Sequence, residues 1–178
     1  MAVVLLMNPE TLAWDDFIEK DQVLDPDTGK QVSARVQFDW DWPEKPKVKQ
    51  GGEVAFADNT LMISPDAEVW KDSVALKDKK KGDALLSHEQ FHYDVAHVIG
   101  RVVVRKLEAL RAKDAVSLDK AAWLVFQQHF IVRAGLIQRC YDKETKHGTE
   151  AHYQIAWKKL MKLALDNKKA THIAGWWL

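Results

Sequence analysis

The chain has 178 residues, 47% of them hydrophobic, enough for one domain to bury a core without covalent staples. Its 26 Lys plus Arg balance 26 Asp plus Glu, so no net positive field draws polyanions and no nucleic-acid partner is expected. Cys140 is the one cysteine, which excludes an internal disulfide framework and every multi-cysteine zinc site and leaves imidazole and carboxylate as metal ligands.

Residues 2–7 form a short apolar run without the basic lead-in of an export signal, and no run approaches the roughly 20 residues of a membrane span. No membrane partner is expected. Further on, apolar and polar residues alternate at Val32, Ala34, Val36, Phe38, Trp40 and Trp42, the period of a half-buried strand, which Pro43 and Pro46 are expected to end. Residues 53–64 read as two short strands around Ala57-Asp58-Asn59-Thr60, a hairpin by its turn residues. The lysine-rich stretch from Lys77 to Gly82 reads as a solvated loop. After it the period changes. Asp83 suits a helix N-cap, and from Ala84 to about Ala112 apolar residues recur three and four apart without a proline, the pattern of one long helix. A second helix is expected from Ser117 to about Cys140, a polar break over residues 141–148, and a third helix over about 149–167. Strands first and helices afterwards predict one α+β domain over residues 1–178. Its N-terminal strands and hairpin form a twisted sheet, packed on the long helix and two further C-terminal helices.

That helix carries His88-Glu89-Gln90-Phe91-His92, the pattern H-E-x-x-H. Residues four apart on a helix lie about 40° from each other, so both imidazoles can share one ion, and Glu89 flanks the same face as a base for a metal-activated water. Residue frequencies give roughly 0.014 chance matches in a chain of this composition. An open catalytic zinc site needs a third protein ligand. His97 lies about 180° around the helix from His88 and is expected to pack or face solvent. The longer H-E-x-x-H-x-x-G-x-x-H pattern fails at Val95 and Val98. The break from Tyr141 to Gly148 is rich in ligand-type residues, among them Asp142, Glu144 and His147, and reads either as a source of the ligand or as a polar helix C-terminus.

The segment Leu85-Leu86-Ser87-His88-Glu89-Gln90-Phe91-His92-Tyr93-Asp94-Val95-Ala96 resembles the L-L-x-H-E-Q-x-H-[FY]-D-[IV]-A motif of bacterial predicted zinc-dependent proteases, a family catalogued as domain of unknown function 922. Tyr141-Asp142, Thr145 and His147-Gly148 resemble that family's Y-D-x-x-T-x-H-G motif. Weaker matches stand at Leu12-Ala13-Trp14-Asp15-Asp16-Phe17 and Gln154-Ile155-Ala156-Trp157. The resemblance implies a zincin-like HExxH metallopeptidase with Zn2+ as cofactor and a peptide or protein as substrate. With that support His147 becomes the third ligand beside His88 and His92, with Glu144 and Asp142 as alternatives. Asp142 is read chiefly as the acceptor for a ligating histidine's second N–H. Two departures stand out: Phe91 replaces a frequent glycine, which is expected to narrow the space beside the metal, and many relatives look exported.

Tyr141 and Tyr153 are candidate oxyanion donors whose simpler role is packing. Asp94 is expected to anchor the long helix, and His129, His152 and His172 to lie outside the metal site. The eight Trp residues read mostly as core or hairpin-face aromatics, with Trp176 and Trp177 a docked tail. Cys140 reads as a small buried hydrophobe. The function expected is zinc-dependent hydrolysis of peptide bonds with Glu89 as general base and then acid, an extended substrate lying along the strand edge between Glu53 and Ser64. The rivals are a non-hydrolytic zinc-binding interaction module, favoured if Phe91 or the Trp tail fills the cleft, and a metal-free structural domain.

Overall fold

The computed structural model describes residues 2–3, 8–26, 28–42 and 47–178. Pro43 and Pro46, expected to end the first long strand, lie outside the described residues, as does most of the apolar run at the start. The fold is α+β. Its sheet is built around β6 (Met62–Trp70), which pairs on one side with β3 (Ala34–Asp41), antiparallel from Ala34 opposite Val69 to Asp41 opposite Met62. On its other side β6 takes the two-residue β1 (Ala2–Val3) antiparallel and β2 (Ile18–Lys20) parallel. The alternation read in the sequence is realised. Ala34 and Val36 of β3 meet Val69 and Ala67 of β6 on the buried face, while Arg35 meets Glu68 on the other, Nη2 to Oε2 2.7 Å.

The expected hairpin over 53–64 does not form. β5 (Glu53–Phe56) pairs backwards with β4 (Lys47–Gln50) through Gly51 and Gly52, both left-handed (φ 60° and 89°). Two consecutive positive φ values are what the tightest hairpin turn demands, and only glycine meets them without strain; Asp58-Asn59-Thr60 instead links β5 to the separate strand β6.

The long helix α1 (Lys79–Ala109) begins earlier than the sequence pattern suggested. Asp78, not Asp83, is its N-cap, its carboxylate accepting from Lys81 N at 3.2 Å. The lysine run is therefore the first helical turn rather than a loop, with Lys79 paired to Asp83 one turn on (2.8 Å), as i,i+4 opposite charges favour. Gly82 permits this start: a Cβ there would sit 2.5 Å from the Ala75 carbonyl oxygen.

Asp114 caps the next helix through Ser117 N (2.7 Å). It runs without a break from α2 (Ala115–Phe126) through π-helical turns over Gln127–Ala134 into α3 (Gly135–Thr145). α4 (Ala151–Asp166) follows, then a small hairpin of β7 (His172–Ile173) and β8 (Trp176–Trp177). Arg101 and Arg105 of α1 donate to the carbonyls of Leu165, Lys168 and Ala170 at 2.8–2.9 Å. The Arg101 guanidinium, buried, and that of Arg105, half-buried, thus satisfy carbonyls at and just beyond the end of α4. Trp40 stacks on Phe126 (4.5 Å, 7°) and Phe130 (5.6 Å, 10°), binding β3 to the second helix. Trp157 is buried against Phe91 and Tyr141. At the tail Leu178 is buried and Trp177 exposed, the Trp177 carbonyl taking a hydrogen bond from Arg133. Among the described residues no helix is long and apolar enough to cross a membrane.

Candidate metal centre

His88 and His92 stand one turn apart on the buried side of α1, their Nε2 atoms 3.3 Å from each other. The third member of the group is Asp142. The sequence pattern put it in a loop, but the helix continues through Thr145, so Asp142 projects from α3 toward α1. Its Oδ1 lies 3.1 Å from His88 Nε2 and 3.0 Å from His92 Nε2. At those distances Oδ1 still makes no well-directed hydrogen bond to either ring. The three ligand atoms all lie within 4.8 Å of one another.

The residues present fit a metal ion. An ion with tetrahedral ligands at about 2.0–2.1 Å sets neighbouring donors about 3.3–3.4 Å apart, and the triangle found has sides of 3.0, 3.1 and 3.3 Å. Two imidazoles and one carboxylate are a donor set that could hold an ion with a coordination position to spare. These three residues are close enough for one ion to bridge them.

The electrostatics follow from burial. Desolvation brings the His88 pKa down to about 4, against the pull of Asp142, which keeps its lone pair available. Burial also disfavours charge on His92, but the Asp142 carboxylate outweighs it and the pKa is raised. The same two imidazoles overcome the burial of Asp142 and hold its carboxyl well below the usual range. Glu89 is buried beside the group. Desolvation lifts its pKa to about 7, opposed by His92 and by a hydrogen bond from Val36 N to Oε2 at 2.9 Å.

Aromatic packing fixes the rings. Tyr141 is fully buried between Phe91 (3.8 Å, 19°) and His88 (4.7 Å, 17°). Phe91, expected to crowd the metal, lies instead under Tyr141 and does not line the cleft. The packing role of Tyr141 is thus the one observed. Tyr153 is exposed on α4.

His147 lies outside the donor triangle. Its ring centre is 6.4 Å from that of His88, and it lines the same cleft from an exposed turn. Glu144 is engaged elsewhere, accepting from Trp157 Nε1 at 2.7 Å and contacting Cys140 Sγ at 3.7 Å. His97 is buried on the far side of α1 against Tyr93 (4.8 Å), and His129 bonds the Val125 carbonyl (2.8 Å). His152 is exposed beside Glu150, and His172 sits in the C-terminal hairpin. Asp94 accepts from Gln90 Nε2 (2.8 Å), and Gln90 Oε1 accepts from Leu12 N (2.7 Å), which ties α1 to the N-terminal segment.

The group opens into a cleft of about 1170 Å³ walled by α1, β3, the π-helical turns and the Lys146–Gly148 turn. The strand at its side is β3, not the 53–64 pair. Successive residues of a strand point their main-chain groups to opposite edges. Ser33 O accepts from Trp70 N toward β6, whereas Val36 N reaches Glu89. Ala34 and Phe38 therefore present N–H and C=O on the free edge of β3, along the cleft. Val36 gave no chemical signal of its own in the sequence, whereas Gly148 stood in the motif around His147. Both act through the backbone.

Comparison with models of known protein families, with curated proteins and with solved structures finds no match.

Proposed function

We propose that the chain is a zinc-dependent peptidase of the zincin type. One observation carries the reading: His88 Nε2, His92 Nε2 and Asp142 Oδ1 converge within 3.0–3.3 Å of one another beside a buried glutamate, at the side of a long cleft. The motif resemblance to bacterial predicted zinc-dependent proteases supports it. Asp142 takes the place in the ligand set that the sequence alone gave to His147. Zinc held there supplies Lewis-acid chemistry, polarising a carbonyl and making water nucleophilic near neutral pH.

Glu89 takes a proton from the attacking water as oxygen adds to the peptide carbon, and delivers it to the nitrogen as the C–N bond breaks, leaving a carboxylate and an amine. Val36 N holds one Glu89 oxygen and so fixes the carboxylate's direction. The free edge of β3 aligns an extended chain through the main-chain groups of Ala34 and Phe38. Neither Phe91 nor the Trp tail lines the cleft, so neither favours the non-hydrolytic alternative.

The test compares wild type and Glu89→Gln, both loaded with zinc, on a quenched-fluorescent peptide library. Both are expected to hold one zinc per chain, with cleavage by wild type alone. Cleavage by Glu89→Gln at the wild-type rate, or none by zinc-loaded wild type, would refute the proposal.

A further inference from the structure

We propose that His147 is a catalytic residue that donates a hydrogen bond to the substrate carbonyl oxygen as negative charge develops on it. This rests on the peptidase reading above. His147 is ligand-type and lines the cleft with His88, His92, Glu89 and Asp142, yet it stands apart from the donor triangle, its ring centre 6.4 Å from that of His88. A group in that position lines the cleft into which the donor triangle opens. Even a neutral imidazole carries one N–H to offer there.

The backbone that carries this ring is left-handed over three successive residues. Lys146, His147 and Gly148 follow one another in the left-handed region, at φ 46°, 53° and 83°. Only the last is a glycine, and side chains with a Cβ are strained in that conformation. The turn is nevertheless over-determined. His147 N donates to the Asp142 carbonyl at 3.0 Å, Glu150 N to the Thr145 carbonyl at 2.9 Å, and Gly148 N to Thr145 Oγ1 at 3.3 Å. Thr145 Oγ1 in turn donates to the Tyr141 carbonyl at 2.7 Å. The ring is thus tied through main chain to Asp142, the residue that completes the triangle. Packing does not account for the placement, because His147 is exposed. A donor to developing charge does, and removing one such donor lowers kcat by about 10²–10³-fold in characterised hydrolases.

The experiment uses His147→Gly, which suits the turn, and His147→Asn, the side chain that best tolerates positive φ. Zinc content, zinc affinity by chelator competition, Tm, kcat and KM are measured on a peptide that wild type cleaves. Expected are one zinc per chain, zinc affinity within about 3-fold of wild type, a Tm not lowered in His147→Gly, and kcat reduced about 10²-fold or more with KM little changed. Loss of zinc from both variants would make His147 a ligand and overturn the assignment. So would an unchanged kcat, or a kcat loss that only follows loss of folded protein. If zinc-loaded wild type cleaves nothing, the peptidase reading falls and this assignment with it; if wild type and both variants cleave alike, the assignment falls alone.

Discussion

Gly148 sits where a side chain would press on His88, one of the three residues that could hold a metal ion. A Cβ built on it lies 3.0 Å from His88 Cβ, 3.1 Å from His88 Cγ and 3.2 Å from Gln154 Oε1, and its φ is +83°. Gly148→Ala therefore meets two costs. The left-handed backbone costs an alanine about 1–2 kcal/mol, and forcing a methyl into a packed site typically costs about 1–3 kcal/mol, so the sum is about 2–5 kcal/mol. His88 cannot retreat, because its ring is backed by Tyr141 and Tyr141 by Phe91. Either the turn opens or the imidazole shifts by some tenths of an ångström, more than the roughly 0.2 Å tolerance of a metal–ligand distance. At about 2–4 °C per kcal/mol for a chain of this size, Tm should fall by about 4–20 °C. Zinc affinity should drop about 10–100-fold, as when a ligand loses its outer support. Calorimetry of the zinc-free and zinc-loaded protein gives the first number, and chelator competition the second. A Tm within about 1 °C of wild type together with unchanged zinc affinity would show that Gly148 does not brace His88.

Asp142→Ala removes one corner of the triangle and should weaken zinc binding by more than the roughly 100-fold that outer-shell changes produce; elemental analysis after dialysis against a weak chelator reads it, and full retention of zinc would remove Asp142 from the ligand set. His97 makes folding sensitive to acid: burial, and secondarily Arg101, bring its pKa from 6.5 down to about 4. The unfolded chain then binds the proton first, so the contribution is whole above pH 6.5 and is lost as pH falls toward 4, by about 3 kcal/mol. Urea unfolding of wild type and His97→Phe between pH 7 and 4 should show that limb flattened in the variant, and parallel pH profiles would contradict it.

The parts of the fold that were legible in the sequence are those set by side-chain period. The alternation from Val32 to Trp42 marked β3, and the three-and-four spacing marked α1, because burial on one face imposes those periods directly. His88, Glu89 and His92 followed from spacing along one helix. What was missed is set by backbone or by distance in the fold. Gly51-Gly52 turns β5 back on β4, and Asp78 starts α1 under a lysine run that by composition looks solvated. Asp142 was visible as a residue type, yet polar neighbours hid that its segment is helical and so faces α1. Val36 acts through its N–H, which no side-chain pattern reports.

The π-helical turns over Gln127–Ala134 decide which way Asp142 points. Wider turns use more residues per revolution, so a π segment acts like a residue spliced into a regular helix, and everything after it is rotated by about 100°. The corner completed by Asp142 is therefore counted out by the length of the stretch leading to it, whatever side chains occupy that stretch. Aligning other chains to this one by helical phase alone, straight through residues 127–134, would assign the wrong residue to that corner. Losing one residue there would aim the carboxylate elsewhere with every ligand still present in the sequence.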